Sequence, residues 1–324
     1  MSRGLQFYRE MLRIRYFEEA AIRGMKEQLV LGAIHPSIGQ EAVAVGVCAN
    51  LEKTDIVLST HRGHGHTLAK GAQLQPMMRE LFGKEGGYCG GKGGSMHIAD
   101  FSVGMLGANG VVGANIVIAT GAAHAIRLRR SKEIVVCFFG DGATNRGPFL
   151  EGLNWAAVHC LPILFVCENN GFAATTRTTA LSAGEGPAAR ARSLGIESMD
   201  IDGNDVLQVD LVAARLISQI RAGAGPRFLH VRTYRLTGHT AADAAPYREQ
   251  SEVDERVKEE PISRLRAHLL QEEGLTQAVL EAEARSIRDA VDAAYADARA
   301  APFPQAGCAF EDVQDVGDPR QEAF

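Results

Sequence analysis

The sequence lacks the features that would assign it to several specialised classes of protein. No stretch reaches the roughly 18 uninterrupted apolar residues of a membrane span, and residues 1–15 contain no apolar signal core. Basic residues are not in excess, since 34 Lys and Arg stand against 39 Asp and Glu. No electrostatic argument therefore points to nucleic acid. We expect a cytoplasmic protein that acts on a small molecule, without a nucleic-acid or membrane partner.

Cysteine pairs are also missing. The six cysteines are spread along the chain without a CxxC motif, and several lie in apolar runs such as Ile134–Phe139. Buried, reduced thiols of cytosolic proteins show this distribution, although the spacing leaves a disulfide open. The remaining composition, 46% hydrophobic and 23% charged, excludes a disordered chain, a coiled coil and a collagen-like fibre. A length of 324 residues allows one large domain or two smaller ones.

Composition changes twice along the chain. Residues 5 to about 30 have the period of an amphipathic helix, and 12 of the 35 glycines fall between residues 83 and 121. Such a density of glycine indicates turns with positive φ or a backbone in close contact with another group. From about residue 255, Glu, Arg, Ala and Leu predict helices over Ile262–Leu270 and Thr276–Arg299. The apolar face predicted for the first helix is Leu5, Tyr8, Met11, Leu12, Tyr16 and Ala20.

Short apolar runs alternate with helical segments in the middle of the chain. Ile134–Phe139 and Ile163–Cys167 are apolar throughout and flank the amphipathic stretch Phe149–His159. Two such strands joined by a helix are typical of adjacent parallel strands that are buried on both faces. Phe228–Thr233 and Ile56–Thr60 predict further strands. The fold class is therefore α/β, with a mainly parallel sheet flanked by helices.

Polar residues follow two of these predicted strands. Asp141 lies between two glycines after the first apolar run, and Asn170 follows the second. Ligands bind beyond the carboxyl ends of parallel strands, so the two side chains are placed to share one cation. Their oxygens suit Mg²⁺ or Ca²⁺ better than zinc, and the N–H groups of Gly140–Ala143 could hold a phosphate. A tight turn and a capped loop explain each motif alone, but the pair favours a metal-bridged diphosphate.

The spacing of these motifs resembles that of thiamine diphosphate-binding proteins, since 26 residues separate Gly140–Gly142 from Asn169–Asn170. Further segments, taken in order, are similar to the α subunit of the decarboxylating component of 2-oxo acid dehydrogenase complexes. The pyruvate and acetoin branches are the nearest, and the match runs from about residue 5 to residue 300. The segments that carry the resemblance are Ile38–Ala42, Arg62–His66, Gly91–His97 and Gly110–Ala114.

The resemblance implies roles for individual residues. Asp141 and Asn170 would bind Mg²⁺ through their side chains, and Phe172 would bind it through its backbone carbonyl. Gly142 and Ala143 would donate backbone N–H groups to the diphosphate. A guanidinium group at Arg62 suits a phosphate, and backbone groups of Gly110 and Val112 would meet the aminopyrimidine ring. In full, the residues implied to bind the cofactor are His61, Arg62, Gly110, Val112, Asp141, Gly142, Ala143, Asn170 and His239.

Histidines provide the candidate acids and bases. His239 is the strongest catalytic candidate because it lies in a polar loop, Arg235–Arg248, beyond a predicted strand. The resemblance places His35 beside it at the mouth of the site. For the histidines in glycine-rich context, a structural hydrogen bond is as good an explanation as a catalytic role. These are His64, His66 and His97.

The resemblance also implies a partner. Thiamine diphosphate carries out the carbanion chemistry, but a carboxylate must contact its pyrimidine nitrogen. In the resembling family this glutamate comes from a β subunit, and this chain contains no second domain of the same kind to supply it. We therefore expect an α2β2 heterotetramer, inactive without β, that passes acyl groups to the lipoyl groups of an acyltransferase core.

The predicted domain organisation is one thiamine diphosphate-binding domain over residues 1–324. Its core spans about 32–240 and is preceded by an N-terminal helix within 1–31. Residues 241–324 contain the remainder of the active-site loop, C-terminal helices and a tail that is irregular over 302–324.

Two departures from the family leave the substrate open. His61–Arg62 stands where pyruvate-specific relatives usually have Tyr-Arg, and Thr237–His239 stands where they usually have His-Gly-His. Both positions border the diphosphate or the substrate. We expect oxidative decarboxylation of pyruvate, with C–C cleavage of acetoin as the alternative. Further alternatives are a branched-chain 2-oxo acid dehydrogenase, a transketolase-like half-enzyme and a non-catalytic scaffold.

Overall fold

The structure is a computed structural model that describes residues 2–30 and 32–311. Its main sheet has six strands, all parallel to their neighbours, and a two-stranded antiparallel hairpin lies beside it. The strands are β1 (Ile56–Thr60), β2 (Met105–Asn109), β3 (Val135–Gly140), β4 (Ile163–Asn169), the hairpin strands β5 (Phe172–Ala173) and β6 (Thr176–Arg177), β7 (Glu197–Asp202) and β8 (Arg227–Arg232).

The order across the main sheet is β2-β1-β3-β4-β8-β7, and helices cover both faces. The α/β class with a mainly parallel sheet is therefore confirmed. The helices are α1 (Arg3–Lys26), α2 (Glu41–Cys48), α3 (His64–Ala69), α4 (Leu74–Leu81), α5 (Ala114–Arg129), α6 (Gly147–Val158), α7 (Pro187–Ser193), α8 (Val206–Arg221), α9 (Gln250–Val257), α10 (Pro261–Gln271) and α11 (Gln277–Ala300).

The two central strands are apolar throughout because both faces of the sheet are covered. β3 and β4 are adjacent and parallel, with Val135 opposite Ile163. Alternate side chains point to opposite faces. Val136 and its same-face neighbours pack beneath α2 and α8, whereas Phe139 and its neighbours pack beneath α5 and α6. The strand–helix–strand prediction for this region is thus confirmed.

Two strands of the sheet do not follow from the sequence pattern. β2 and β7 lie at the two edges of the sheet, each with a single neighbouring strand. β7 reads Glu-Ser-Met-Asp-Ile-Asp and exposes several of its side chains, and β2 contains a glycine. An edge strand needs no continuous apolar run, because it is not enclosed on both sides.

The terminal helices pack on one another. α1 begins at Arg3, where the Ser2 hydroxyl accepts a hydrogen bond from the Leu5 N–H, and it ends at Lys26, earlier than predicted. Phe17 is buried in addition to the predicted face, because α2, α10 and α11 surround the helix, and Tyr16 is only partly buried. The two predicted C-terminal helices are present as α10 and α11. The final part of the expected tail, 312–324, lies outside the described residues.

Other expectations from composition can be compared with the structure. All six cysteines are free thiols; Cys48, Cys137 and Cys167 are buried as expected, but Cys160 is exposed. None of the helices within residues 2–30 and 32–311 combines the length and apolar character needed to cross a bilayer.

One buried carboxylate organises the glycine-rich segment, residues 83–97. Glu80 is fully buried near the end of α4. Its two oxygens accept backbone N–H groups of Cys89, Gly91, Gly93 and Gly94 at 2.8–3.0 Å. At Gly91 φ is +75° and a Cβ would lie 2.8 Å from the backbone of a neighbouring turn, so the segment needs glycine there. The glycines of residues 83–97 therefore let the backbone wrap around a carboxylate.

Replacement of this carboxylate should loosen the whole segment. We expect Glu80→Ala to lower the free energy of unfolding by about 3 kcal/mol or more, because a hydrogen bond to a charged group contributes about 1.5–3 kcal/mol and four donors lose their acceptor. Equilibrium urea unfolding measures the change. The matched control is Glu85→Ala, an exposed carboxylate in the same segment, for which we expect a change within about 0.5 kcal/mol. Equal stability of the two variants would contradict this role for Glu80.

Candidate active site

The carboxyl ends of several strands open into one cavity of about 360 Å³. The structure brings all the residues assigned from the sequence to its wall. They are His35, His61, Arg62, Gly110, Val112, Asp141, Gly142, Ala143, Asn170, Phe172 and His239. Their individual roles remain predictions, but they share one place in the fold.

The topology of the sheet explains this convergence. Parallel strands present their carboxyl ends at one edge, and residues that directly follow each strand meet there. Arg62 follows β1, Val112 follows β2, Asp141 follows β3 and Asn170 follows β4. Positions that are far apart in the sequence therefore line the same cavity.

His35 and His239 lie on loops rather than at the ends of strands, and the pairing of two loop segments brings them to the cavity. Segments 34–38 and 236–241 are joined by two backbone hydrogen bonds, from Leu236 N–H to the Ile38 carbonyl at 3.0 Å and from Ala241 N–H to the Ile34 carbonyl at 2.9 Å. This pairing places the His35 and His239 rings side by side, with centres 4.9 Å apart.

Side chains whose oxygen atoms could bind a metal ion lie at one end of the cavity. Asp141 is 1% exposed and accepts a hydrogen bond from the Thr178 hydroxyl. Asn170 accepts the Phe172 N–H at 3.1 Å and donates to the Gln40 side chain at 3.2 Å. Burial raises the pKa of Asp141, and a bound cation would favour its charged form. A carboxylate, an amide oxygen and a nearby carbonyl suit a hard cation such as Mg²⁺.

The turn beside this end also requires glycine. A Cβ at Gly142 would lie only 2.9 Å from the Cβ of Ala173 in the hairpin. Because the hairpin closes over the turn, a larger residue would force the two apart. The N–H groups of the turn thus remain next to the cavity, where an anion could accept them.

Two buried guanidinium groups face the cavity. Arg62 is 6% exposed and donates to the Pro36 carbonyl at 2.5 Å, and Arg235 is 2% exposed and donates to the Ala174 carbonyl at 3.1 Å and the Tyr247 hydroxyl at 3.0 Å. Within the described part of the chain, neither forms an ion pair with a carboxylate. Burial, together with the charge of Arg235, lowers the pKa of Arg62 to about 9. Burial also lowers the pKa of Arg235.

These guanidinium groups indicate an anionic ligand. Burying an unpaired charge is costly, and an anion with several oxygens would compensate two forked donors at once. The sequence prediction included Arg62 but treated Arg235 only as the start of a loop. Its position two residues beyond the predicted buried strand Phe228–Thr233, at the same edge of the sheet, was the signal that could have identified it.

The sequence analysis missed a second buried carboxylate in the cavity. Glu168 lies near the end of β4, is 5% exposed and has an oxygen 3.2 Å from Nε2 of His66. The other nitrogen of that ring is 2.7 Å from the Ser59 hydroxyl. Because Glu168 directly follows an apolar run, it looked like the end of a strand rather than part of a site.

Three histidines at the mouth of the cavity, His35, His61 and His239 (the mouth histidines), are neutral near pH 7. Burial, followed by the charge of Arg62, lowers the pKa of His35 to about 4, of His61 to about 2 and of His239 to about 4. A low dielectric and a nearby positive charge both disfavour the protonated ring.

The loop that carries His239 is held by its own contacts. Asp243 accepts the N–H groups of His239 and Ala245 and the Tyr247 hydroxyl, at 2.7–2.8 Å. Burial raises the pKa of Asp243, but these three donors outweigh it and lower the pKa to about 2. The carboxylate therefore stays charged and fixes the backbone at His239.

The other histidines in glycine-rich context make structural hydrogen bonds. His64 is 1% exposed, with its ring nitrogens 2.9 Å from Glu18 and 2.9 Å from Ser95. His97 is exposed, and its Nδ1 lies 3.2 Å from the Gly93 carbonyl. Neither lines the cavity.

Comparison with known proteins agrees with this geometry. The model of the family described as the dehydrogenase E1 component matches residues 9–307. The α subunits of acetoin:2,6-dichlorophenolindophenol oxidoreductase from Bacillus subtilis (strain 168) and Cupriavidus necator are 42% and 40% identical to this chain, covering 94% and 93% of it and 91% and 90% of the relatives. The pyruvate dehydrogenase E1 component subunit alpha of Rhizobium meliloti (strain 1021) is 37% identical, over 95% of this chain and 89% of the relative.

These matches cover nearly the whole chain, including every residue assigned to the cavity. They support an oxidoreductase of the 2-oxo acid dehydrogenase type, and the family implies thiamine diphosphate as the cofactor. The resemblance inferred from the ordered motifs is confirmed: the chain belongs to the dehydrogenase E1 component family, among its α subunits.

Proposed function

We propose that this chain is the α subunit of an enzyme that oxidatively decarboxylates pyruvate and passes the acyl group to lipoyl groups of an acyltransferase core. Its cofactors are thiamine diphosphate and Mg²⁺, and it acts with a β subunit in an α2β2 heterotetramer. The observation that carries the proposal is the pair of buried guanidinium groups, Arg62 and Arg235, beside a set of oxygen ligands.

Each end of the diphosphate site has a distinct task. Arg62 and Arg235 compensate the charge of the phosphate oxygens, and the N–H groups of Gly142 and Ala143 donate to them. Asp141, Asn170 and the Phe172 carbonyl would hold Mg²⁺, which would compensate part of the charge of the diphosphate. When bound, thiamine diphosphate supplies the carbanion chemistry.

Two of the mouth histidines, His35 and His239, are the candidate proton acceptors. A neutral imidazole can accept a proton, and an anion that compensates the charge of Arg62 would raise the lowered pKa of these rings toward the range of a general base. His35 and His239 line the cavity and are neutral near pH 7. The Nδ1 atom of His35 is buried without a hydrogen-bond partner among the described residues.

Among the described residues that line the cavity, no carboxylate is free for the pyrimidine ring. The two acidic residues of the cavity are Asp141, which belongs to the metal end, and Glu168, which contacts His66. A carboxylate from a second subunit would complete the site. This supports the proposed β subunit.

An exposed apolar surface next to the cavity supports the same partner. Val111 and Val112 on the rim are 65% and 47% exposed, and further exposed apolar side chains lie on α5 and α6, which pack against each other. Groups of exposed apolar side chains mark protein interfaces. Those on the two helices are Val117, Ile118, Leu128, Leu150, Trp155 and Val158.

A second candidate function is cleavage of acetoin. It is favoured by the names of two relatives, which are 42% and 40% identical to this chain, by His61 in the wall of the cavity and by Thr237, two residues before His239. The chain folds and binds its cofactor in the same way under either function.

The first prediction concerns cofactor binding. We expect Asp141→Ala to abolish Mg²⁺-dependent binding of thiamine diphosphate in the reconstituted α–β enzyme. We expect Arg235→Gln to weaken binding at least about tenfold, because a charge-assisted hydrogen bond contributes about 1.5–3 kcal/mol. Isothermal titration measures both affinities. Asp200→Ala, which removes an exposed carboxylate outside the cavity, is the control and should bind normally. Unchanged affinity in Asp141→Ala would exclude the assigned metal site.

The second prediction concerns activity and substrate. The α chain alone should show no turnover, whereas the α–β pair should reduce 2,6-dichlorophenolindophenol in the presence of a substrate. Initial rates with pyruvate, acetoin and branched-chain 2-oxo acids, followed by acyl transfer to lipoamide, rank the candidates. A higher kcat/KM for acetoin would replace pyruvate as the substrate, and normal turnover by α alone would refute the shared active site.

The third prediction concerns the subunit interface. We expect Trp155→Asp to prevent or strongly weaken assembly with β, because it places a charge in the exposed apolar surface of α6. Leu211→Asp is the control, since Leu211 is 72% exposed on α8, away from that surface. Size-exclusion chromatography with light scattering gives the assembly state. Equal assembly of the two variants would place the β subunit elsewhere.

A further inference from the structure

Three imidazole rings surround the mouth of the cavity. The ring centres of His35 and His61 are 4.7 Å apart, those of His35 and His239 are 4.9 Å apart, and those of His61 and His239 are 5.6 Å apart. One ring nitrogen of each histidine lies within 4.8 Å of a ring nitrogen of each of the others. The three rings come from three separate segments of the chain, so the cluster is a property of the fold.

The spacing matches that of a metal centre. When three imidazoles bind a tetrahedral Zn²⁺ with Zn–N distances of about 2.0–2.1 Å, their ring centres lie about 5 Å apart. The three observed separations lie on either side of this value. Because the ring centres are already correctly spaced, rotation of the side chains is the main adjustment that binding requires.

A second observation also points to a ligand at this position. His35 is 8% exposed, and its Nδ1 atom is buried with no hydrogen-bond partner. A buried polar atom without a partner costs free energy that a ligand can recover. Neutral imidazole is also the form that binds metals, and all three rings are neutral near pH 7.

We infer that His35, His61 and His239 form a binding site for a transition-metal ion such as Zn²⁺, and that the bound ion closes the mouth of the cavity. This site is distinct from the proposed Mg²⁺ site in its ligand chemistry, because nitrogen ligands select zinc-like ions and oxygen ligands select Mg²⁺. Three protein ligands leave the fourth tetrahedral position to water.

The neighbouring charges determine how tightly the ion binds. Burial and then the Arg62 guanidinium lower the pKa of all three rings, and Arg235 lies 3.4 Å from Nδ1 of His239. Both positive charges oppose a cation, and Asp243, which faces the backbone N–H of His239, opposes them only in part. An anion that neutralises the guanidinium groups should therefore strengthen metal binding.

Titration with Co²⁺ tests the site directly on the full-length, metal-free α chain. Tetrahedral Co²⁺ absorbs visible light far more strongly than octahedral Co²⁺, so it distinguishes a three-histidine site from the Mg²⁺ site. We expect one strongly absorbing site that Zn²⁺ empties. His61→Ala should weaken Co²⁺ binding at least about tenfold, and Arg235→Gln should tighten it severalfold. A weak, octahedral spectrum in the unmodified chain would overturn the inference.

His159→Ala is the control for binding of Co²⁺ by histidines outside the cavity. His159 belongs to another histidine cluster, next to His124 and Trp155, and should not affect the signal. Loss of the signal in His159→Ala, or its persistence in His61→Ala with unchanged affinity, would assign the metal elsewhere. The thermal unfolding midpoint of each variant shows whether it has folded normally.

Closure of the cavity is tested with the α–β enzyme in the dye-reduction assay, which contains no thiols to bind zinc. We expect Zn²⁺ to inhibit in competition with the substrate, and a nitrogen-donor chelator that leaves Mg²⁺ in place to restore the rate. This test rests on the proposed function, whereas the Co²⁺ titration does not, so their failures are distinguishable. Binding of Co²⁺ without inhibition by Zn²⁺ would retain the site and refute the closure.

Discussion

The arrangement of the cavity depends on two positive charges that the fold buries without a negative partner among the described residues. Arg62 and Arg235 are each more than nine-tenths enclosed, and their hydrogen-bond partners are backbone carbonyls, the Tyr247 hydroxyl and the His239 ring. Burying two such charges is costly unless a bound anion compensates them. Burial, together with these charges, keeps His35 and His239 neutral, and the charges contribute to the electrostatic potential that any substrate or metal ion meets at the mouth.

The central part of the fold follows from the sequence because it satisfies simple rules. β3 and β4 are enclosed on both faces, so their apolar runs are continuous, and the residues that follow them meet at one edge of the sheet. This reasoning places Asp141 and Asn170 correctly beside one another. The resemblance to a known family adds residues such as Gly110, whose glycine-rich context alone does not specify a role.

The features that escaped prediction depend on contacts across the fold. The edge strands β2 and β7 have no continuous apolar run, and Glu168 looks like the end of one. The importance of Arg235 emerges only when the cavity is assembled around it. The convergence of the mouth histidines requires the pairing of segments 34–38 and 236–241, which no local pattern encodes.

The contacts of Glu80 have a consequence for how this protein can vary. The segment around it is shaped by backbone N–H groups that point at one carboxylate, so its path depends on main-chain geometry rather than on the identity of most of its side chains. Substitution at its exposed, non-glycine positions should leave that path unchanged. The segment can therefore accumulate new surface chemistry next to the cavity over evolutionary time, while Glu80 and the glycines preserve its shape.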